Sequence, residues 1–86
     1  MNQKIYLKEL LKRGEIKKCI SKAIEFLEVT EHIELERKFV SLLARYQRLE
    51  KLNMQGQLKF ETYTIESNKI CFSLSQFLID DFPSQL

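Results

Sequence analysis

The chain has 86 residues, of which 44% are hydrophobic and 30% charged, with two glycines and one proline. This composition is typical of one folded helical domain and argues against a disordered tail. The length is near the lower limit at which a chain folds without a disulfide or a metal, so little chain is left for a substrate cleft. The net charge is only +2, but residues 1–22 carry seven basic and two acidic side chains, whereas residues 62–86 carry one basic and three acidic. The simplest interpretation is solvated helix faces, although the two ends of the chain differ in electrostatic character.

The first third of the chain predicts an antiparallel hairpin of two helices. A short helix with apolar residues from Ile5 to Leu11 ends at Gly14, a natural C-terminal cap. The second helix follows at once, and its apolar residues recur at steps of three and four. They are Ile16, Cys19, Ile20, Ala23, Ile24 and Leu27, with Phe26 beside them.

A longer third helix is predicted to end near Asn53. Thr30 is its expected N-cap, and Glu31 and Glu34 would lie in its first turn, where carboxylates favour the positive end of the helix dipole. Its predicted core face is Leu35, Phe39, Leu42, Leu43, Tyr46 and Leu49.

A fourth helix is predicted to begin near Phe60 and to end by Asp81 and Pro83. Residues 62–65 are weak helix formers, so we expect an irregular first turn. We interpret residues 1–82 as a single helical domain and residues 83–86 as a tail or the start of a linker. The apolar spacing along this helix is Tyr63, Ile70, Leu74, Phe77 and Leu78.

Four helices, with a fifth as an alternative, predict an all-α fold, a compact bundle. The one stretch that alternates, "KFETYTI", has no partner strand. Neither a signal-peptide core nor a run of about 18 apolar residues is present, so we predict a cytoplasmic protein without a membrane span. In such a protein we expect Cys19 and Cys71 to be small buried hydrophobes and not a disulfide.

The sequence contains no recognisable catalytic constellation. His32 is the one histidine, and no second ligand lies at a metal-binding spacing. The serines fall inside predicted helices without a nucleophile motif. Gly56 in "NMQGQLK" lacks the phosphate-loop pattern and is expected to supply a positive φ where the third helix ends. We therefore predict no metal, no cofactor and no enzymatic activity.

Binding remains as the function, and two kinds of partner fit the charges. The basic residues Lys12, Arg13, Lys17 and Lys18 lie on two helices joined by a tight turn, an arrangement that also binds nucleic acid. That alternative is weakened because the second helix offers few base-reading side chains. Protein association fits better, because a basic patch on one copy suits acidic residues on another, in closed rings or in filaments. The acidic candidates are Asp80 and Asp81.

A motif in the second half of the chain indicates a family. It runs through "LLARYQRLE", a turn with glycine, and "ESNKI", and its residues are Leu42, Leu43, Arg45, Tyr46, Leu49, Glu50, Gly56, Leu58, Glu61, Glu66, Asn68, Lys69 and Ile70. This pattern resembles the effector-associated domains of prokaryotic conflict systems, the type numbered eleven, and the opening hairpin extends the resemblance to nearly the whole chain. Lys59 stands where the family tends to have a helix-capping Ser, and Lys69 replaces a frequent Arg.

The resemblance implies a non-catalytic adaptor, similar in role to the death-fold domains. Such domains are fused to proteases, TIR-like proteins or other effectors on one chain and to sensors or NTPases on another, and they associate like with like. The implied partner is the same type of domain, so we expect a homo-oligomer. Our hypothesis for the motif is a clasp in which Arg45 pairs with Glu66 while Asn68 bonds to the backbone of the turn. The alternatives are that Arg45 is solvated or lies in the interface.

Overall fold

The computed structural model describes residues 2–83. Within that range four α-helices follow one another, and a short π-helix continues the last of them. No strand occurs in the described range. The predicted all-α bundle is confirmed, and of the predicted tail only Pro83 lies within the described residues. The helices are α1 Gln3–Lys12, α2 Ile16–Thr30, α3 Ile33–Met54 and α4 Phe60–Gln76, followed by the π-helix Phe77–Asp81.

The helices pack in a closed order. Each α-helix contacts the next one in the chain, and α4 with the π-helix returns to contact α1. The resulting body measures 40 × 23 × 18 Å. Because α3 has 22 residues and rises 1.5 Å per residue, it is about 33 Å long and spans most of the longest dimension.

The core contains the apolar faces that the spacing predicts. No polar or charged side chain is buried within the described range. Phe39 lies at its centre, with its ring edge-on to Phe77 at 5.6 Å and to Phe82 at 6.2 Å between ring centroids. The buried residues are Leu7, Leu10, Ile16, Cys19, Ile20, Ala23, Leu27, Phe39, Leu42, Leu49, Ile70, Leu74, Leu78 and Phe82.

Both glycines end a helix in the left-handed conformation, as predicted. Gly56 has φ +69° and Gly14 has φ +77°. After α3, the Gly56 N–H donates to Asn53 O and the Gln57 N–H donates to Leu52 O, which is the Schellman pattern of paired bonds. The same pattern closes α1. These turns satisfy carbonyls that a helix end would otherwise leave without partners.

The connection between α2 and α3 differs from the prediction. Thr30 is the last residue of α2 and not the N-cap of α3, because its Oγ1 donates to Phe26 O at 3.2 Å and to Leu27 O at 3.3 Å. A hydroxyl that bonds back to its own helix is unavailable as a cap for the next. Instead, α3 follows His32 without a side-chain cap, and the chain reverses at Glu31, whose φ is +60°.

The expected irregularity in α4 lies at the other end of the helix. Residues 60–76 are regularly α-helical, so the prediction of an irregular first turn was wrong. The helix widens only at its end, where the Phe82 N–H donates to Phe77 O at 2.8 Å, five residues back. Packing of Phe77 and Phe82 on Phe39 accompanies this widening.

The two cysteines are free thiols. Cys19 is buried and donates to Leu7 O at 3.3 Å, whereas Cys71 is half-buried. Burial, with a smaller contribution from Cys71, raises the pKa of the Cys19 thiol to about 12. In the described part of the chain, no helix has the length and apolar character needed to cross a bilayer.

Candidate interaction surfaces

The predicted clasp between Arg45 and Glu66 is not formed. Glu66 pairs with Lys69 on its own helix at 3.3 Å, and Arg45 is exposed without an ion pair to any residue in the range 2–83. Arg45 and Glu66 line the same shallow groove between α3 and α4. Asn68 is exposed and makes no side-chain hydrogen bond within that range. The motif therefore does not join the two helices in the way that its charges suggest.

A different pair joins α3 to α4. The Tyr63 hydroxyl donates to Glu50 Oε1 at 2.6 Å, and both side chains are half-buried. This bond, together with burial, raises the pKa of Tyr63 to about 12. Tyr46 lies one turn before Glu50, and burial followed by the charge of Glu50 raises the pKa of Tyr46. The carboxylate of Glu50 thus contributes to the raised pKa of two phenols.

Sequence reasoning missed this bond although its residues were visible. The apolar spacing predicts Tyr63 on the core face of α4, and it says nothing of a partner for its hydroxyl. Glu50 is noted only as a residue of the family motif. The available signal was chemical, because a tyrosine on a core face usually finds a partner for its hydroxyl. Which acceptor it finds depends on the rotation of α4 against α3.

Most of the other motif residues hold these helices together. Leu49 and Ile70 are in the core, Tyr46 is packed against it, and Gly56 makes the turn. Arg45 and Asn68 are exposed and make no such contact within the described range.

The predicted basic residues lie around the α1–α2 turn. Lys12 pairs with Glu9 at 3.7 Å and Arg13 with Glu15 at 4.0 Å, both in exposed positions where such pairs contribute little to stability. Two further lysines of the set have no carboxylate within ion-pair distance in the described structure. They are Lys17 and Lys18.

The predicted acidic residues lie at the far end of α1. Asp81 pairs with Lys38 at 3.5 Å, and Asp80 is exposed. The start of α1 is nearby, because Lys4 Nζ donates to Ile79 O at 3.2 Å. Since α1 has ten residues and is about 15 Å long, the basic turn and the acidic residues are separated by at least that helix.

Within residues 2–83 no group of three or more His, Cys, Asp or Glu side chains lies close enough to hold a metal ion. His32 is exposed at the α2–α3 connection and lines a surface pocket with Glu34, Lys38 and Asp81.

The closed four-helix bundle places the chain among small all-α domains. The family model of effector-associated domain 11 matches residues 3–83, nearly the whole chain. The chain therefore belongs to this family of effector-associated domains of conflict systems, which confirms the resemblance carried by the motif. No curated protein and no solved structure matches the chain.

Proposed function

We propose that this domain is a non-catalytic adaptor that recruits an effector to other components of a prokaryotic conflict or defence system by associating with domains of the same type. The match to the family of effector-associated domains supports a place for this chain in such a system. The observation that carries the mode of association is the placement of opposite charges at opposite ends of one helical body. The role involves no cofactor and no metal.

The separation of charge favours contact between molecules. Within one bundle, the basic turn around Lys17 and the acidic residues Asp80 and Asp81 are too far apart to pair. At physiological ionic strength charges interact strongly only within a Debye length of about 8 Å, which is less than the length of α1. Lys17, Lys18 and Asp80, which make no ion pair in the described structure, therefore remain available to the opposite patch of another copy. Contacts between two different patches are heterologous and allow more than two copies to join.

Light scattering and analytical ultracentrifugation of the isolated chain test this proposal. The mass should rise with concentration in the absence of nucleic acid, and it should fall again at high salt because the contacts are partly electrostatic. A strict monomer up to about 1 mM, where even weak contacts of this strength are populated, would contradict self-association.

Nucleic-acid binding through the basic hairpin is the alternative, and one observation favours it. Lys17 lines a groove with Lys51, so the positive charge extends from the hairpin onto α3. Binding of arbitrary DNA that weakens steeply with salt would support this alternative. It should then be lost when Lys12, Arg13, Lys17 and Lys18 are all changed to Glu, and assembly without DNA should be absent.

A further inference from the structure

The long axis of the bundle has two ends of opposite charge, each built from segments distant in sequence. We define the acidic end as residues 28–38 and 80–81 together with Lys4, which hold six acidic and three basic side chains. We define the basic end as residues 12–18 and 45–60, which hold eight basic and two acidic side chains. Half of the chain's acidic residues thus lie at the acidic end, and more than half of its basic residues lie at the basic end.

Shared pockets show that these segments meet in space. At the acidic end, Ile33, Glu34 and Asp81 line one surface pocket. At the basic end, Lys17 of α2 and Met54 of α3 line one groove. Since α3 runs from Ile33 to Met54, the two sites lie at its opposite termini.

Each end also exposes two large apolar side chains among its charges. At the acidic end Val29 is 84% and Ile33 is 60% exposed; at the basic end Met54 is 85% and Phe60 is 82% exposed. Apolar residues surrounded by charges are the usual composition of a protein interface with a polar rim. The two ends therefore match in apolar content and are opposite in charge.

The backbone at the acidic end adds an independent observation. Glycine provides the left-handed residue at two of the three connections between helices, but Glu31 provides it at the third, with φ +60°. A non-glycine residue in this conformation is strained, and such strain is often associated with a functional position. The chain keeps a carboxylate here where glycine would relieve the backbone.

We propose that the acidic end of one copy docks on the basic end of the next, with Val29 and Ile33 against Met54 and Phe60. This inference rests on the proposed function and specifies which faces of the domain associate. Because the docking faces lie at opposite ends of the long axis, every added copy leaves one free end of each sign, and the copies extend head to tail instead of pairing about a two-fold axis. A cross-section of 23 × 18 Å limits each face to on the order of 400 Å², so single contacts are weak and reversible.

Two double variants of the 86-residue chain test these faces. Lys17→Glu/Lys18→Glu reverses charge at the basic end, in the first turn of α2, where acidic residues are compatible with the helix dipole. Glu31→Lys/Glu34→Lys reverses charge at the acidic end. Each variant alone should need at least about a tenfold higher concentration to assemble than the unmodified chain. An equimolar mixture should associate again, because the first keeps its acidic end and the second keeps its basic end.

A matched control separates a local effect from a change in net charge. Lys8→Glu/Lys69→Glu makes the same charge change at exposed positions in the middle of α1 and α4, and it should assemble as the unmodified chain does. Glu31→Gly distinguishes a role of the Glu31 side chain in assembly from a role in folding. It should raise the melting temperature, because glycine relieves the backbone strain. It should also weaken assembly, because the carboxylate is removed.

The outcomes distinguish this inference from the proposed function. If the unmodified chain assembles and both end variants assemble equally well, the end faces are refuted while the adaptor role stands. If Phe72→Ser abolishes assembly while both end variants still assemble, the contact lies instead on the outer face of α4 and of the π-helix that continues it, where Ile65, Phe72 and Ile79 are exposed. A strict monomer at low salt would overturn self-association and, with it, the docking of the two ends.

Discussion

Replacing Tyr63 by Phe removes one hydroxyl and should destabilise the bundle by about 1–2 kcal/mol. The hydroxyl donates to the Glu50 carboxylate at 2.6 Å across the contact between α3 and α4. Hydrogen bonds to charged groups contribute about 1.5–3 kcal/mol, and the partial exposure of this pair reduces the expected loss to about 1–2 kcal/mol, around the lower limit of that range. In a domain of this size, the loss should lower the melting temperature by about 5–15 °C.

A double-mutant cycle isolates the bond from other effects of the substitution. Urea and thermal unfolding would be measured for the unmodified chain, Tyr63→Phe, Glu50→Leu and the double variant, and the coupling free energy should be about 1–2 kcal/mol. Glu50→Leu is the matched partner because it keeps an aliphatic side chain of similar size and removes both acceptor oxygens. A coupling energy below about 0.3 kcal/mol with unchanged melting would refute the conclusion that this bond joins the two helices.

The pH dependence gives a second measure of the same bond. The pKa of Tyr63 is raised from 10.0 to about 12 in the folded chain, so the proton is held more tightly when folded than when unfolded. The stabilisation is therefore complete below pH 10 and is lost as the pH rises through 12. The difference in unfolding free energy between the unmodified chain and Tyr63→Phe should shrink across that window.

Three further predictions follow from other positions. Arg45→Ala should change the melting temperature by less than about 2 °C, because Arg45 is exposed without an ion pair in the described structure. A clear drop in melting temperature would restore the clasp hypothesis. An unchanged melting temperature with weaker self-association would place Arg45 in the interface. Gly56→Ala should cost about 1–2 kcal/mol in urea unfolding through φ +69° alone, since no atom lies within 4 Å of the added Cβ, and Gly56→Asn should cost less; equal losses would contradict a backbone origin. Burial raises the pKa of Cys19 from 9.0 to about 12, so the unfolding free energy should fall as the pH rises through that window and should fall less in Cys19→Ala; identical pH profiles would exclude Cys19 as a cause.

The helices and the turns could be predicted because their causes are local. Steps of three and four between apolar residues identified the core faces of α2, α3 and α4, and Gly14 and Gly56 marked two of the turns by the positive φ that glycine allows. The prediction of an N-cap failed at Thr30, because its hydroxyl could form either of two competing hydrogen bonds. Sequence pattern does not decide whether such a residue caps the next helix or bonds back to its own.

Side-chain partners between helices could not be predicted in the same way. Arg45 and Glu66 have complementary charges at compatible positions, but α4 is rotated so that Tyr63 meets Glu50 while Glu66 pairs with Lys69. That rotation is set by the packing of the whole core, because surface ion pairs contribute too little to dictate it.

The sequence by itself determined the fold class, the apolar faces, the glycine turns and the family, since each depends on residues close together in the chain or on a motif. Only the tertiary structure decided that residues 28–38 join residues 80–81 at one end of the bundle, and that the basic hairpin joins the end of α3 at the other. The asymmetry between residues 1–22 and 62–86 was visible in the sequence. The sequence did not show how far this charge asymmetry extends. Charged residues in the middle of the chain reach one end of the bundle or the other only through the antiparallel packing of α2, α3 and α4.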